Sequence, residues 1–362
     1  MPEEYQDHLY TLILAGGGGT RLWPKSKNKT PKQFLKIFGG KTLTQITCDR
    51  FATKIPWARM FCITVSQEYK EEILREVPQF LIDNIIVEPK RCDTAPAHAV
   101  GAKVILGRDP QAVIITEAVD RLVNPVERYL EIVDMAAKVA FEKKVLVSVG
   151  VKPLYPHTGL GHIKMGESVF QEGNINFYKV EKFVEKPPLE LAKEYTASGQ
   201  YLWNAGQYVW RADALLDAIE KYAPDINANL SRIAEGLDKV YEAMPKISID
   251  YAVSEKADNM VVVAADFAWT DIGDWNEVWK NLPKDASNNV IIDGEVPGGE
   301  VINIDTNDTL IQTDGRLIAV IDVDNIVIVD TKDALLVCAK DRAQSVKQIV
   351  ETLKEKNRNE LL

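Results

Sequence analysis

Gly16-Gly17-Gly18-Gly19 stands at the end of the apolar run Leu9 to Leu14, and Arg21, Lys25, Lys27, Lys29 and Lys32 follow it in quick succession. In an open α/β sheet the carboxyl ends of strands are where ligands bind. Backbone without side chains can present its amide donors to phosphate oxygens there. A solvated basic loop after a flexible βα turn would explain the lysines but not their position behind the glycines. Backbone amides together with Arg21 and Lys32 supply charge-assisted hydrogen bonds to non-bridging oxygens, so the segment reads as a polyphosphate cradle. Its positive charge is a local exception in a chain of formal charge −10. The common phosphate motifs do not fit. A dinucleotide fingerprint requires glycine where Arg21 stands, and a P-loop requires Gly-Lys-Ser/Thr in place of Arg21-Leu22-Trp23. Gly40-Lys41-Thr42 lacks the upstream glycine of a P-loop, whose position Leu35 holds.

The elements that must position this loop alternate in a strand and helix rhythm from Tyr10 to about Trp279. Apolar runs at Leu9 to Leu14, Ala112 to Ile115, Val145 to Val149 and Val261 to Ala265 predict strands buried on both faces. Between the second and third, Asn124 as N-cap and Pro125 in the first turn open a helix carrying Tyr129, Leu130, Val133, Ala137, Ala140 and Phe141 at helical spacing. Thr42-Leu43-Thr44-Gln45 predicts a capping box opening another helix. The expected fold is a three-layer, Rossmann-like α/β domain with a mainly parallel sheet over residues 1–285. Residues 286–362 change texture: Leu317 to Ile321, Ile326 to Val329 and Leu335 to Cys338 are short β-like runs. They predict a small β-rich, β-helix-like appendage, closed by an amphipathic helix with Val346, Ile349, Val350 and Leu353. That appendage reads equally as a dimer contact, a wall of the substrate site or a packing module.

At 362 residues the chain suits one main body with a small appendage. No stretch approaches the roughly 20 apolar residues a membrane helix needs. The acidic start Glu3-Glu4-Tyr5-Gln6-Asp7 resembles neither a secretory signal nor a transit peptide, so a cytoplasmic location is expected. Cys48, Cys62, Cys92 and Cys338 have neither metal-ligand nor redox spacing. The acidic balance opposes a nucleic-acid partner.

Leu14-Ala15-Gly16-Gly17-Gly18-Gly19-Thr20-Arg21-Leu22-Trp23-Pro24, followed by Pro31-Lys32-Gln33-Phe34-Leu35, resembles the mannose-1-phosphate guanylyltransferases, a short, monofunctional form within the sugar-1-phosphate nucleotidyltransferases. Further matches run in order: Thr94-Ala95-Pro96-Ala97, Gly150 to Ile163, Phe183 to Pro187, Tyr201 to Gly206, Ser248 to Lys256 and Trp269 to Trp275.

The resemblance implies attack by a phosphate oxygen of mannose 1-phosphate on the α-phosphorus of GTP, giving GDP-mannose and pyrophosphate with no covalent intermediate. It implies Arg21 and Lys32 as catalytic charge stabilisers. Leu14, Ala15, Gly16, Gly17, Gly18, Gly19, Thr20, Glu88, Thr94 and Ala95 would bind the nucleotide, and Gly159, Glu185, Lys186 and Asn204 the sugar phosphate. Asp120 and Asp271 would hold Mg²⁺ or another divalent cation, a hard ion suited to carboxylate oxygen. A homodimer is implied as well. The chain departs from the family pattern at Arg121, where histidine is usual, at Arg91-Cys92-Asp93, and at His157, Leu160 and His162, where Glu and two tyrosines are usual. Two other readings remain: a sister nucleotidyltransferase with another nucleotide or hexose, and a non-catalytic regulatory homologue that binds GDP-mannose.

Overall fold

The computed structural model describes residues 3–17, 19–294, 296 and 298–362, so Gly18 lies outside the described residues. The chain forms two bodies. One comprises Met1–Gly16, Cys48–Val119 and Val123–Trp269, and the other Gly17–Thr47, Asp120–Leu122 and Thr270–Leu362.

In chain order the elements up to residue 271 are β1 (Leu9–Ala15), α1 (Leu43–Ala52), β2 (Met60–Thr64), α2 (Gln67–Glu76), β3 (Ile85–Val87), α3 (Thr94–Leu106), β4 (Val113–Ala118), β5 (Arg121–Asn124), α4 (Val126–Lys143), β6 (Leu146–Val151), β7 (His162–Glu172), β8 (Ile175–Val184), α5 (Leu189–Ser198), β9 (Tyr201–Arg211), α6 (Ala212–Tyr222), α7 (Pro224–Leu230), α8 (Leu237–Tyr241), β10 (Met260–Ala265) and β11 (Ala268–Asp271). A nine-stranded sheet of order β3-β2-β1-β4-β9-β6-β10-β8-β7 is the spine of the first body. The pairings make every strand but β8 and β9 run the same way, as the four buried apolar runs require.

The period of two along β4 separates the outer layers. Ile114 joins Leu12, Tyr208 and Trp210 in the core beneath α3 and α6. Glu117 faces α4, where Tyr129 OH donates to its Oε2 at 2.5 Å. Gly101 lets α3 close on β1, because a Cβ there would strike the Leu12 side chain. The predicted helix after position 124 is present, but its cap is Pro125, without a side-chain cap bond. Asn124 is the last residue of β5. The residue before a proline is driven toward extended backbone, which suits the end of a strand.

The second body continues with α9 (Trp275–Asn281), β12 (Val290–Ile292), β13 (Glu300–Ile304), β14 (Leu310–Gln312), β15 (Leu317–Ile321), β16 (Ile326–Asp330), β17 (Leu335–Ala339) and α10 (Val346–Glu355). From β12 to β16 successive strands alternate between two sheets, β12-β14-β16-β17 and β13-β15. All but the last pairing are parallel. This is a short β-helix with Ile311, Val320 and Ile328 between its sheets. The predicted capping box is present: Gln45 N–H donates to Thr42 Oγ1 at 3.1 Å and Thr42 N–H to Gln45 Oε1 at 2.8 Å. Val346 and Val350 of α10 enter a core with Leu22, Trp23, Leu35, Trp275 and Leu310. Among the described residues no helix is long and apolar enough to cross a membrane.

Candidate functional site

Leu22 and Trp23 anchor the segment that follows the glycine loop. Trp23 Nε1 donates to Leu361 O at 2.8 Å, and Trp275 Nε1 to Trp23 O at 3.0 Å. Burying two such side chains contributes about 1.5–3 kcal/mol each. Leu-Trp-Pro is therefore a fastening that holds Arg21 at the surface, where the guanidinium lies at about van der Waals distance from where a Cβ on Gly273 would stand. Pro31 to Leu35 is buried throughout. It is pinned by Thr44 Oγ1, which donates to Gln33 O at 3.0 Å.

That pinning places Lys32. Its ammonium donates to Ile272 O at 3.1 Å and lies 2.6 Å from Asp120 Oδ2 and 3.6 Å from Asp271 Oδ1. Gly19 has φ +59°, and a Cβ there would fall on the aliphatic stem of Lys32, so glycine is required twice over. Asp120 and Asp271 come from distant parts of the sequence and are joined by Ile272 N–H, which donates to Asp120 O at 2.9 Å. Burial pushes the Asp120 carboxyl up, but Lys32 and Arg121 outweigh it and hold the group low. Burial and repulsion from Asp120 push Asp271 up. Arg121, the departure from the family histidine, has its Nε 4.0 Å from Asp120 Oδ1.

These carboxylates fit a hard divalent cation. Asp271 Oδ1 is buried and has no hydrogen-bond partner among the described residues. Lys32 and Arg121 offset much of the charge on Asp120, so the unbonded Asp271 Oδ1 is the oxygen that suits such a cation. Among the described residues no set of three or more His, Cys, Asp or Glu could hold a metal. The remaining coordination positions would therefore fall to phosphate oxygens and water.

The predicted sugar-phosphate residues lie in the first body. Glu185 is 7 % exposed at its side chain, and Lys186 Nζ donates to its Oε1 at 2.6 Å. Its backbone N–H donates to Glu255 Oε1 at 3.0 Å. Asn204 uses every position of its amide: Nδ2 donates to Tyr208 OH and Asp250 Oδ1, and Oδ1 accepts from Ser148 Oγ and Gly206 N–H. A ligand meets that amide only by displacing one of these bonds. Gly159 N–H donates to His157 Nδ1 at 3.0 Å, and the His157 ring packs on Trp203. His162 is fully buried, with its ring against Tyr195. By strand alternation it lies on the opposite face of β7 from Ile163.

The predicted nucleotide residues of the first body divide. Leu14 and Ala15 end β1, and Ala15 O accepts from Thr64 Oγ1 at 3.1 Å. Thr94 and Ala95 open α3, capped by Asp93 Oδ1 on Thr94 N–H at 2.8 Å. Thr94 Oγ1 accepts from Ile249 N–H at 2.9 Å, and Ala95 N–H donates to Ile247 O at 3.1 Å. Gly16 follows β1, with Val65 close to the position of a Cβ. Gly17, Gly19 and Thr20 lie in the second body.

Glu88 is buried, and its Oε1 accepts from Tyr241 OH at 2.6 Å. Burial pushes its carboxyl up to about 7 against that bond and the charge of Arg91. A carboxyl raised above its unfolded value contributes stability below that value and loses it as pH rises through about 7. Glu88→Gln should flatten urea-measured stability between the ordinary glutamate range and neutrality, removing a slope worth about 3 kcal/mol. An unchanged slope would contradict this assignment.

Asp250 and Gly161 lie within longer motifs that by themselves assign neither a role. The signal for Gly161 is steric: a Cβ there would lie 2.5 Å from Glu185 Oε2 and 3.2 Å from Asn204 Cβ.

The chain matches the model of the nucleotidyl transferase family over residues 10–288 and that of the MannoseP isomerase/GMP-like beta-helix domain over residues 299–353. A Klebsiella pneumoniae mannose-1-phosphate guanylyltransferase is 36% identical, over 97% of this chain and 75% of its own length. Its Escherichia coli K12 counterpart is 34% identical, over 98% and 75%. A solved structure from Thermus thermophilus, described as a mannose-1-phosphate geranyltransferase, is 32% identical with a TM-score of 0.86, covering 96% of this chain and 99% of that one.

Proposed function

The chain belongs to the mannose-1-phosphate guanylyltransferase family of nucleotidyltransferases, and from that premise we propose that it transfers GMP from GTP to mannose 1-phosphate. The observation that carries the proposal is the Lys32 ammonium shared by Asp120 and Asp271 beneath Gly19. A phosphate oxygen of mannose 1-phosphate forms a bond to the α-phosphorus. The bond from that phosphorus to the oxygen bridging to the β-phosphorus breaks, and pyrophosphate leaves with the electron pair. Such a reaction gathers negative oxygens, so fixed positive charge serves it better than a nucleophile does. Lys32, pre-set by its buried stem, and Arg21, at the surface beside Gly273, stabilise charge on the leaving pyrophosphate. Amides from Gly16 to Thr20 orient the triphosphate. A divalent cation held by Asp120 and Asp271 would neutralise the α-phosphate and act as a Lewis acid. Glu185 accepts hydroxyl protons of the hexose in hydrogen bonds, and Lys186 meets its phosphate.

One diastereomer of GTP carrying sulfur on the α-phosphorus tests direct attack. A single displacement inverts configuration in the GDP-mannose analogue formed. Retention would require a covalent enzyme intermediate and overturn the mechanism. No product with either diastereomer, from protein that binds GTP, would overturn the transferase assignment.

A further inference from the structure

We propose that Asp250 is a second carboxylate acceptor for hexose hydroxyls, working beside Glu185; this rests on the sugar-phosphate reading of that site. Asp250 opens the short helical turn Asp250–Ser254. The preceding residue, Ile249, is fastened by its N–H to Thr94 Oγ1 at 2.9 Å. One carboxylate oxygen is fully engaged: Oδ1 accepts from Tyr208 OH at 2.6 Å and from Asn204 Nδ2 at 2.9 Å. Tyr208 OH is itself held by Ser254 Oγ at 3.1 Å. The other oxygen, Oδ2, makes no hydrogen bond among the described residues, and the residue is half-buried. A carboxylate clamped through one oxygen has its second oxygen fixed in direction, which is how a pre-organised acceptor is built.

Gly161 locates that acceptor in the sugar site. A Cβ on Gly161 would touch both Glu185 Oε2 and Asn204 Cβ, and Asn204 is the residue that holds Asp250. Glu185 and Asp250 therefore flank one spot kept clear of side chain. Lys186 donates to Oε1 of Glu185, so each carboxylate keeps one oxygen without a hydrogen bond among the described residues. Burial, then repulsion from Asp250, push the Glu185 carboxyl up, consistent with two acids kept close. A polyol phosphate relieves that repulsion by donating several hydroxyl hydrogens while its phosphate meets Lys186.

A purely structural Asp250 would need only its Oδ1, which an asparagine supplies equally well. Asp250→Asn therefore separates the two roles: it keeps an acceptor for Tyr208 and Asn204, and replaces Oδ2 with a donor. Calorimetric binding to the whole chain is measured for GTP, mannose 1-phosphate and its 2-, 3-, 4- and 6-deoxy analogues. The variant should bind mannose 1-phosphate about tenfold more weakly and GTP unchanged. One deoxy analogue that binds the natural protein poorly should bind the variant as well as the parent sugar does. Equal affinity for mannose 1-phosphate, or an unchanged set of deoxy penalties, would overturn the inference. Tyr208→Phe, which loosens Asp250 while keeping its charge, provides a second variant if Asp250→Asn does not fold. It should reduce the same deoxy penalty, and an unaltered penalty would count against Asp250. If the natural protein binds no hexose 1-phosphate, the sugar-site reading and this inference both fall. Binding that is indifferent to both variants removes Asp250 alone.

Discussion

Asp271→Asn should lower pyrophosphate release by about 10²- to 10³-fold, the range seen when one pre-organised electrostatic group is removed from a transition state. The substitution is nearly isosteric, so the loss isolates charge from shape. In metal-free protein the variant should melt no lower than the natural chain. Burial and repulsion from Asp120 already penalise the ionised Asp271, and the amide removes that penalty. Its buried Oδ1 has no hydrogen bond to lose. Full turnover in the variant would remove Asp271 from the site; a large fall in melting temperature would make its role structural.

Lys32→Met fails in a different manner. The replacement keeps an aliphatic stem for Gly19 to cross but leaves Asp120 and Asp271 without their shared counter-charge. Turnover should fall by about 10³-fold. Stability near neutral pH should fall by about 2 kcal/mol, less than for a fully buried pair because both carboxylates keep some solvent. The pH dependence has a definite sign. Against its burial, Asp120 is held low by Lys32 and then Arg121, so it contributes stability above the ordinary aspartate range. That contribution is lost as pH falls through its lowered folded value. The deficit of Lys32→Met should therefore be largest at neutral pH and shrink on acidification. Urea titrations of both proteins across the acidic range measure it, and a deficit independent of pH would contradict the ion-pair account.

Much of this was legible from local pattern. The runs beginning at Leu9, Ala112, Val145 and Val261 are strands because continuous apolar residues suit a sheet covered on both faces, and the structure has them as β1, β4, β6 and β10. Thr42 and Gln45 announced their reciprocal cap by spacing alone. What sequence could not show was long-range. Trp23 is fastened to Trp275 and Leu361, and no periodicity links residues so distant in the chain. Asn124 has a strong capping side chain, yet it closes β5 and Pro125 takes the cap position. Asn204 is placed at the sugar phosphate by resemblance alone, and whether its amide is open to a ligand depends on Ser148, Tyr208 and Asp250 closing around it. Asp250 itself sits in an unremarkable Ile-Asp-Tyr stretch, and only the direction of its two oxygens gives it meaning.

The most direct test mixes the purified chain and Mg²⁺ with mannose 1-phosphate and each of four nucleoside triphosphates, then with glucose 1-phosphate, and follows pyrophosphate. The account predicts rapid release with GTP and mannose 1-phosphate, and little with the other pairs. Release with a different pair would keep the mechanism and change the substrates. Silence with every pair, from folded protein that binds GDP-mannose, would contradict the enzyme and leave a regulatory homologue in its place.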